Sequence, residues 1–280
     1  MVWNQGLIGL FNMKINLIYF LFILLIWSCS QPELELDNQF DPDNPDYIAP
    51  ETTILYTNPP LSEDNVLNVN ENVGIYWEGN DPEMEYQTKM DNGDWSNWSE
   101  VPFGNFSYLN EGFHRLLVRG RYLSGTEEET PDTLEFTVDA IGSSSLWIKS
   151  LLTKVSNQDT FSVDIVAEEF DPIAGAGILI KFNESDLELD SLKIKDFFGE
   201  SPIYFDSLST NSGISALQLD IATYGDTTYV DKTGTIATLY FKAISLGEHT
   251  IRINEETTLR DDNNNIIEVN QREDGLVQVQ

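Results

Sequence analysis

Two histidines, His114 and His249, are the side chains of this sequence most suited to acid–base chemistry or metal binding near neutral pH. Each lies in an alternating, strand-like segment, and the local pattern brings no partner next to either. Ordinary strand histidines are the preferred interpretation. G-x-S-x-G, HExxH and P-loop motifs do not occur, and Gly175-x-Gly177 lacks the third glycine and following helix of a dinucleotide loop. We predict no catalytic residue and no enzymatic activity.

Carboxylates are too abundant to point to one reaction. The 280 residues include 47 Asp+Glu and 15 Lys+Arg, a formal net charge of -32, so any chosen acidic pair is poor support for hydrolysis. The same charge makes nucleic acid an unfavourable partner. The polar run 261–265 (DDNNN) could offer oxygens to calcium, but an EF-hand needs Gly and Glu where Ile266 and Arg272 stand. We predict a hairpin turn there, with structural calcium as the alternative, and no metal site.

The only cysteine, Cys29, excludes a disulfide framework and a Cys-rich zinc site. It follows an apolar run, INLIYFLFILLIW from Ile15 to Trp27, that is preceded by Lys14 and is shorter than the roughly 20 residues of a bilayer-spanning helix. We predict a signal peptide over residues 1–28, with a spanning helix as the alternative. Met13 is a more ordinary start for such a peptide than Met1.

The order Ile26-Trp27-Ser28-Cys29 resembles the lipobox of bacterial lipoproteins. This resemblance implies that Cys29 becomes the first mature residue and carries acyl chains, so that the protein is exported and membrane-anchored at the outer membrane or cell surface. The alternative is an inert thiol in an ordinary signal peptide. Residues 29–50 contain four prolines, several carboxylates and no Lys or Arg, which predicts an extended, solvated tether.

Two strand-rich blocks follow, and the hydrophobic content of 41% is sufficient for packed cores. Residues 51–141 alternate with period two between turn signals, and Asn92-Gly93 indicates a hairpin. An immunoglobulin-like or fibronectin type III-like sandwich fits this block. Its segments YWEGNDPE, DNGDWSNWS, EGFHRLLVRGRY and DTLEFTVDA resemble, in that order, the immunoglobulin-like modules of bacterial surface and sensor proteins. Trp95 and Trp98 lie three apart beside the turn, where core packing or edge cover is the preferred interpretation and sugar stacking is the alternative.

Residues 145–280 contain eight or nine predicted strands, the first of them LWIKSLLTKV from Leu146 to Val155, which calls for a jelly-roll sandwich. The segments IAGAGILIKFNESDLEL, DKTGTIATLYFKAISLGEHTIRI and RDDNNNIIEV occur in an order that resembles a cohesin domain. The fold class is therefore predicted as all-β, with two β-sandwich domains, the second a cohesin-like jelly roll. Related sandwiches such as cellulose-binding modules share part of the pattern.

The resemblance implies a non-catalytic receptor for dockerins, small modules whose paired loops need calcium, and that calcium would sit on the partner. Cohesin-like recognition uses one flat sheet face. In AGAGILIKF and ISALQLDIA the apolar alternation assigns one set of residues to the core and leaves the other set outward. The predicted partner-binding residues are this outward set: Gly175, Gly177, Leu179, Lys181, Ala216, Gln218 and Asp220.

Where cohesins place a polar pair, this chain has Gly175 and Gly177, which leaves the type of partner open. These glycines could instead relieve crowding in a twisted strand. The leading hypothesis is a lipid-anchored surface adaptor in which the first block is a spacer and the second captures a protein with a dockerin-type or other complementary module. The alternative is a carbohydrate-binding surface lipoprotein that binds a polysaccharide. The predicted outward positions contain no Trp or Tyr, which favours a protein partner.

Overall fold

The computed structural model describes residues 39–40, 43–170, 172–224 and 233–280. The predicted signal peptide, Cys29 and most of the predicted tether lie outside the described residues. Among the residues that are described, no helix has the length and apolar character needed to cross a membrane.

Seven strands are built from residues 52–138, and they form a three-stranded sheet in the order β1-β3-β5 and a four-stranded sheet in the order β2-β7-β6-β4. Alternating apolar residues of both sheets share one core, in which the ring of Trp77 meets that of Tyr86 at 6.2 Å between centroids. The strands are β1 (Thr52–Asn58), β2 (Val66–Leu67), β3 (Val73–Gly79), β4 (Met84–Met90), β5 (Phe103–Phe106), β6 (Gly112–Tyr122) and β7 (Asp132–Val138).

The described residues between 145 and 279 form thirteen further strands in two more sheets, with one short 3₁₀ turn at Asp196–Phe198. One sheet has the order β12-β15-β10-β8-β19, and the other has the order β13-β14-β11-β16-β20-β9, with β17 and β18 beside β11. The strands are β8 (Ser145–Lys149), β9 (Leu152–Val155), β10 (Thr160–Glu168), β11 (Gly175–Asn183), β12 (Leu187–Ile194), β13 (Ile203–Asn211), β14 (Ile214–Ala222), β15 (Gly234–Ala243), β16 (Gly247–Ile253), β17 (Thr258–Arg260), β18 (Ile266–Ile267), β19 (Gln271–Glu273) and β20 (Gly275–Val279).

The two sheets of this second set enclose a single apolar core. Phe241 of β15 is fully buried between the rings of Phe161 and Phe182, with centroid distances of 5.6 and 5.1 Å. Burial alternates strictly along β11 and β14, as a sheet with one covered face requires. The predicted all-β class and the jelly-roll sandwich are confirmed.

One expectation about an individual strand is wrong, and the expected hairpin is found only in part. The run LWIKSLLTKV does not form one strand: it breaks at Ser150, where φ is +74°, and the chain passes from the sheet of β8 to the sheet of β9. At Asn92-Gly93 the turn forms, but the positive φ belongs to Asp91 (+52°), and the return arm pairs with β4 only through isolated bonds such as Ser96 N to Thr88 O.

Pro50–Gln280 form one compact unit, although no strand of residues 52–138 pairs with a described strand of residues 145–279. Instead, the side chains of Asn110 and Glu111 form hydrogen bonds with the chain segments that precede and follow β8. The Oδ1 atom of Asn110 accepts the backbone N–H groups of Ser150 and Leu151, each at 3.0 Å. Glu111 Oε1 accepts the N–H groups of the connecting residues Ala140 and Ile141 at 2.8 and 2.7 Å. These four backbone N–H groups are therefore satisfied by side chains rather than by strand pairing.

Candidate functional site

The outer surface of β16, β11, β14 and β13 is the candidate functional site, and we call it the outer face. It is the side of that sheet turned away from the core, so its side chains are half-buried or exposed. On β11 and β14 the alternate residues point to the other side of the sheet and are buried in the core. They are Ala176, Ile178, Ile180, Phe182, Ser215, Leu217, Leu219 and Ile221.

All seven residues predicted to bind a partner lie together on the outer face. β11 and β14 are direct neighbours, and the antiparallel register places Gly177 opposite Asp220, Leu179 opposite Gln218, and Lys181 opposite Ala216. Gly175 stands opposite Ala222 at the end of the same row. The geometry therefore brings the set into one continuous patch, while its role in binding stays a prediction.

Gly177 lies beneath polar side chains from the neighbouring strands. A Cβ atom added there would come within 3.1 Å of Asp220 Oδ1 and 3.4 Å of Thr258 Oγ1. Gln218 Nε2 donates to the same Asp220 oxygen at 2.9 Å. Gly175 and Gly177 also line a shallow groove of about 430 Å³, bounded by Phe205 of β13. The two glycines add no side chains of their own to this groove, and the polar side chains of Asp220 and Thr258 border it.

The prediction missed β13, which widens the outer face on one side. β13 pairs with β14 without a register shift, from Ile203 opposite Ala222 to Asn211 opposite Ile214, and all nine of its residues are exposed. Phe205, with 73% of its surface exposed, stands beside Asp220. The apolar Ile203-Tyr204-Phe205 run and the turn at Ser212-Gly213, where φ is +52° and +85°, were the signals that could have revealed this hairpin.

Charges on the outer face are mixed, in contrast to the acidic chain as a whole. Lys181 forms no ion pair with any described residue, and Arg252 of β16 contacts Asp274 at 3.1 Å between Nε and Oδ2. The acidic side chains that line the two depressions of this face are Asp186 and Glu248 in one and Asp220 and Asp261 in the other. A partner therefore meets exposed cations as well as carboxylates on this surface.

Both histidines have acidic partners that the sequence pattern did not predict. His114 Nδ1 lies 2.8 Å from Asp91 Oδ2, and its Nε2 lies 2.8 Å from the backbone oxygen of Asn110. His249 Nδ1 lies 3.2 Å from Asp186 Oδ2. These contacts were missed because they join residues 23 and 63 positions apart, which only the turns and sheets bring together.

Ser245, His249 and Asp186 have the residue types of a nucleophile–base–acid group but not its arrangement. The Ser245 hydroxyl is closer to Asp186 Oδ1, at 2.9 Å, than to His249 Nε2, at 3.5 Å. His249 Nε2 faces the backbone oxygen of Ser245 at 2.9 Å. Because the hydroxyl has a nearer carboxylate acceptor, this geometry does not prepare it for attack on a substrate.

Trp95 and Trp98 are half-buried and lie against arginines of β6. The guanidinium carbon of Arg119 is 4.6 Å from the Trp95 ring centroid and 5.2 Å from that of Trp98, and Arg121 lies 4.3 Å from Trp98. These cation–π contacts occupy ring surface on which a sugar would stack. The rings of Tyr56, Tyr76 and Phe103 form a row across β1, β3 and β5, in which Tyr76 is half-buried. They stack on one another at 4.6 and 5.6 Å rather than forming a flat platform.

The polar run 261–265 is a hairpin turn between β17 and β18, as predicted. Asp261 accepts hydrogen bonds from the backbone N–H groups of Asn263 and Asn265 and from the Asn265 side chain. The Asn265 side-chain bond is the main cause of the lowered pKa of Asp261. In the part of the chain that the structure describes, no group of three or more His, Cys, Asp or Glu residues is arranged to hold a metal ion.

Comparison with known proteins assigns the sheets formed by residues 145–279 to a protein family. The family model of the cohesin domain matches residues 149–279, and this part of the chain is a cohesin domain. Cohesin domains are non-catalytic modules that bind other proteins, so this half of the chain is assigned as a protein-binding module. No curated protein matches the chain.

Several solved structures of cohesins align with about half of this chain. A non-cellulosomal cohesin from the archaeon Archaeoglobus fulgidus is 12% identical, with a TM-score of 0.40 over 49% of this chain and 90% of that one. The sixth cohesin of Acetivibrio cellulolyticus scaffoldin B, solved in complex with a dockerin, is 16% identical, with a TM-score of 0.40 over 49% and 98%. A cohesin module of a Clostridium perfringens family 33 glycoside hydrolase is 12% identical, with a TM-score of 0.39 over 49% and 94%.

Proposed function

We propose that this protein is a lipid-anchored surface adaptor whose cohesin domain captures a partner protein that carries a dockerin-type module. The observation that carries the proposal is the continuous outer face of β11 and β14 within a cohesin domain. Its low, glycine-lined groove and the half-buried Leu179 offer shape and apolar contact, while polar residues surround them, as in a small protein interface.

Residues 51–141 act as the immunoglobulin-like spacer in this proposal. The hydrogen bonds of Asn110 and Glu111 at the connection support a spacer that holds the cohesin domain in a defined position rather than on a loose linker. A polysaccharide is the alternative ligand. The stacked row of Tyr56, Tyr76 and Phe103 and the arginine-covered Trp98 do not favour it, because they lack an exposed flat platform of rings.

Capture from the secreted proteins of the source organism tests this function. The full chain, immobilised in detergent, is expected to retain proteins that carry dockerin modules and to release them when calcium is chelated, because the paired loops of dockerins need calcium. Mass spectrometry identifies the retained proteins, and a purified module then confirms direct binding. Retention of polysaccharide on an affinity gel, with no dockerin-bearing protein retained, would support the alternative instead.

The anchor is tested separately at Cys29. We expect mass spectrometry of the membrane fraction to detect an N-terminal Cys29 peptide carrying acyl chains, because Cys29 follows the lipobox-like residues Ile26-Trp27-Ser28. A Cys29→Ser variant, which lacks the thiol that accepts lipid, serves as the control and is expected to lose the acylated peptide. An unmodified Cys29 thiol in the wild-type protein contradicts the anchoring proposal.

A further inference from the structure

A pocket of about 730 Å³ opens at one end of the outer face, where β11 and β16 separate. The two strands pair only at Ile180 with Ile253 and at Lys181 with Arg252. Beyond Lys181, β16 pairs with β20 alone, and Phe182 and Asn183 of β11 line one side of the gap. Lys181 and Ala216 belong both to this pocket and to the outer face, so the pocket is continuous with the proposed partner site.

The carboxylate of Asp186, which lines the pocket, is already engaged by protein donors. Oδ1 accepts the hydroxyl groups of Ser245 and Ser185, and Oδ2 faces His249 Nδ1. Desolvation raises the pKa of Asp186, but these hydrogen bonds and the nearby His249 outweigh it and hold that pKa below its ordinary value. Asp186 therefore stays ionised and paired with donors of the protein itself.

Three asparagines leave their donor groups available at the pocket. Asn183 Oδ1 accepts the N–H and hydroxyl of Ser185, Asn211 Oδ1 accepts the Ser212 hydroxyl, and Asn254 Oδ1 accepts the Glu256 N–H. Within the described chain, the Nδ2 groups of these asparagines have no partner. Since each Nδ2 carries two hydrogens and accepts none, the three side chains offer unused N–H donors at the pocket.

Two cations add to this donor-rich lining. Lys181 has no ion-pair partner among the described residues, and Arg252 uses only Nε on Asp274, which leaves its terminal nitrogens free of such contacts within the described chain. Glu248 is the opposing acidic group, and it receives a long hydrogen bond of 3.4 Å from Gln278. The lining thus sets Lys181 and Arg252 against the carboxylates of Asp186 and Glu248. Because Asp186 is already paired, the cations and the unused N–H groups suit an anionic, acceptor-rich group.

We propose that this pocket binds a carboxylate, and that the carboxylate is an Asp or Glu side chain of the protein held on the outer face. The inference rests on the proposed function and adds the chemistry of one partner residue. A partner side chain is favoured because the pocket opens onto the outer face, so that a partner seated there can reach Lys181 and Arg252. The same site would attract a uronic acid, which carries the same group.

Saturation-transfer NMR on small probes tests the site without any partner, using the full chain in detergent. The probes are the peptide Ac-Ala-Ala-Glu-Ala-Ala-NH2, its Gln counterpart of the same shape, and digalacturonate. We expect saturation transfer to the Glu peptide and little to the Gln peptide. The dissociation constant for the Glu peptide should rise at least fivefold in Lys181→Gln, and the interaction should weaken as salt is added.

Matched variants keep the result interpretable. Asn211→Asp replaces one donor group by an oxygen of the same size, so it should weaken Glu-peptide binding even if Lys181→Gln fails to fold. Lys154→Gln removes an exposed lysine of β9 outside the pocket and should change nothing. Equal binding of the Glu and Gln peptides, or wild-type binding by both folded pocket variants, would overturn the proposal.

Two further outcomes separate this inference from the proposed function. Binding of digalacturonate without binding of the Glu peptide would overturn the assignment to a partner side chain and assign the pocket to sugar. Unchanged capture of a dockerin-bearing protein by Lys181→Gln would also overturn the inference, while the adaptor function would stand. Glu-peptide binding combined with no dockerin capture would instead count against dockerin recognition alone.

Discussion

Replacing Leu179 by Asp is expected to leave the cohesin domain folded and to lower its affinity for a captured module by about thirtyfold or more. Leu179 lies on the outer face between Gly177 and Lys181 and opposite Gln218, at the middle of the proposed contact. The change removes an apolar contact and forces an unpaired charge into the interface, which costs roughly 2 kcal/mol or more at a well-packed centre. Calorimetric titration with the purified module measures the loss.

Gly177→Arg provides a second test of the same surface, because it adds a bulky, charged side chain where the wild-type protein has none. The φ angle of Gly177 lies outside the left-handed region, so a side chain is compatible with the backbone, and the closest atom to its Cβ belongs to the flexible Asp220 side chain. Leu123→Asp, in an exposed turn after β6, is the matched control for Leu179→Asp and should bind the module normally.

The outcome for the two outer-face variants also tests the assignment of strand faces. Wild-type affinity in both folded variants would place the partner site elsewhere on the protein. If Leu179→Asp instead unfolds the domain, Leu179 would be acting as a core residue, because a shift of one residue along a strand exchanges its two faces.

Replacing Phe241 by Ala is expected to lower the free energy of unfolding by about 3–5 kcal/mol. Phe241 is fully buried in β15, stacked against Phe161 and in edge contact with Phe182, so truncation leaves a cavity between the two sheets. Tyr240→Ala is the matched control, since the neighbouring ring points to the opposite, exposed side of the same strand and should cost about 1 kcal/mol or less.

Denaturant unfolding followed by tryptophan fluorescence gives both values. Equal losses in the two variants would show that residues on the two faces of β15 contribute alike, which a sandwich with one covered face does not allow. A small loss in Phe241→Ala would mean that the aromatic contacts with Phe161 and Phe182 contribute little to the core.

Local patterns predicted the faces of individual strands well. The alternation in AGAGILIKF and ISALQLDIA placed Ala176, Ile178 and their alternates in the core because a strand has a period of two and one sheet face is covered. Short-range turn chemistry likewise indicated the turn at Asn92-Gly93. The resemblance of the second block to cohesins was confirmed over residues 149–279.

Long-range contacts were beyond the reach of the same patterns. β13 was missed because all of its residues are exposed, so its two faces give no contrast between core and solvent. Where LWIKSLLTKV breaks, the Ser150 N–H donates to Asn110, which lies 40 residues away in the sequence. The acidic partners of His114 and His249 likewise depend on turns that fold distant segments together.

By itself, the sequence determined that this protein is built of strands, which side chains of β11 and β14 face outward, and which block resembles a cohesin, because these properties follow from short-range periodicity and local motif order. Only the tertiary structure decided which strands are neighbours. It placed β13 at the edge of the outer face and separated β11 from β16 beyond Lys181, which creates the donor-rich pocket. Strand order and separation arise from pairing and packing between distant segments, and periodicity within one segment carries no information about them.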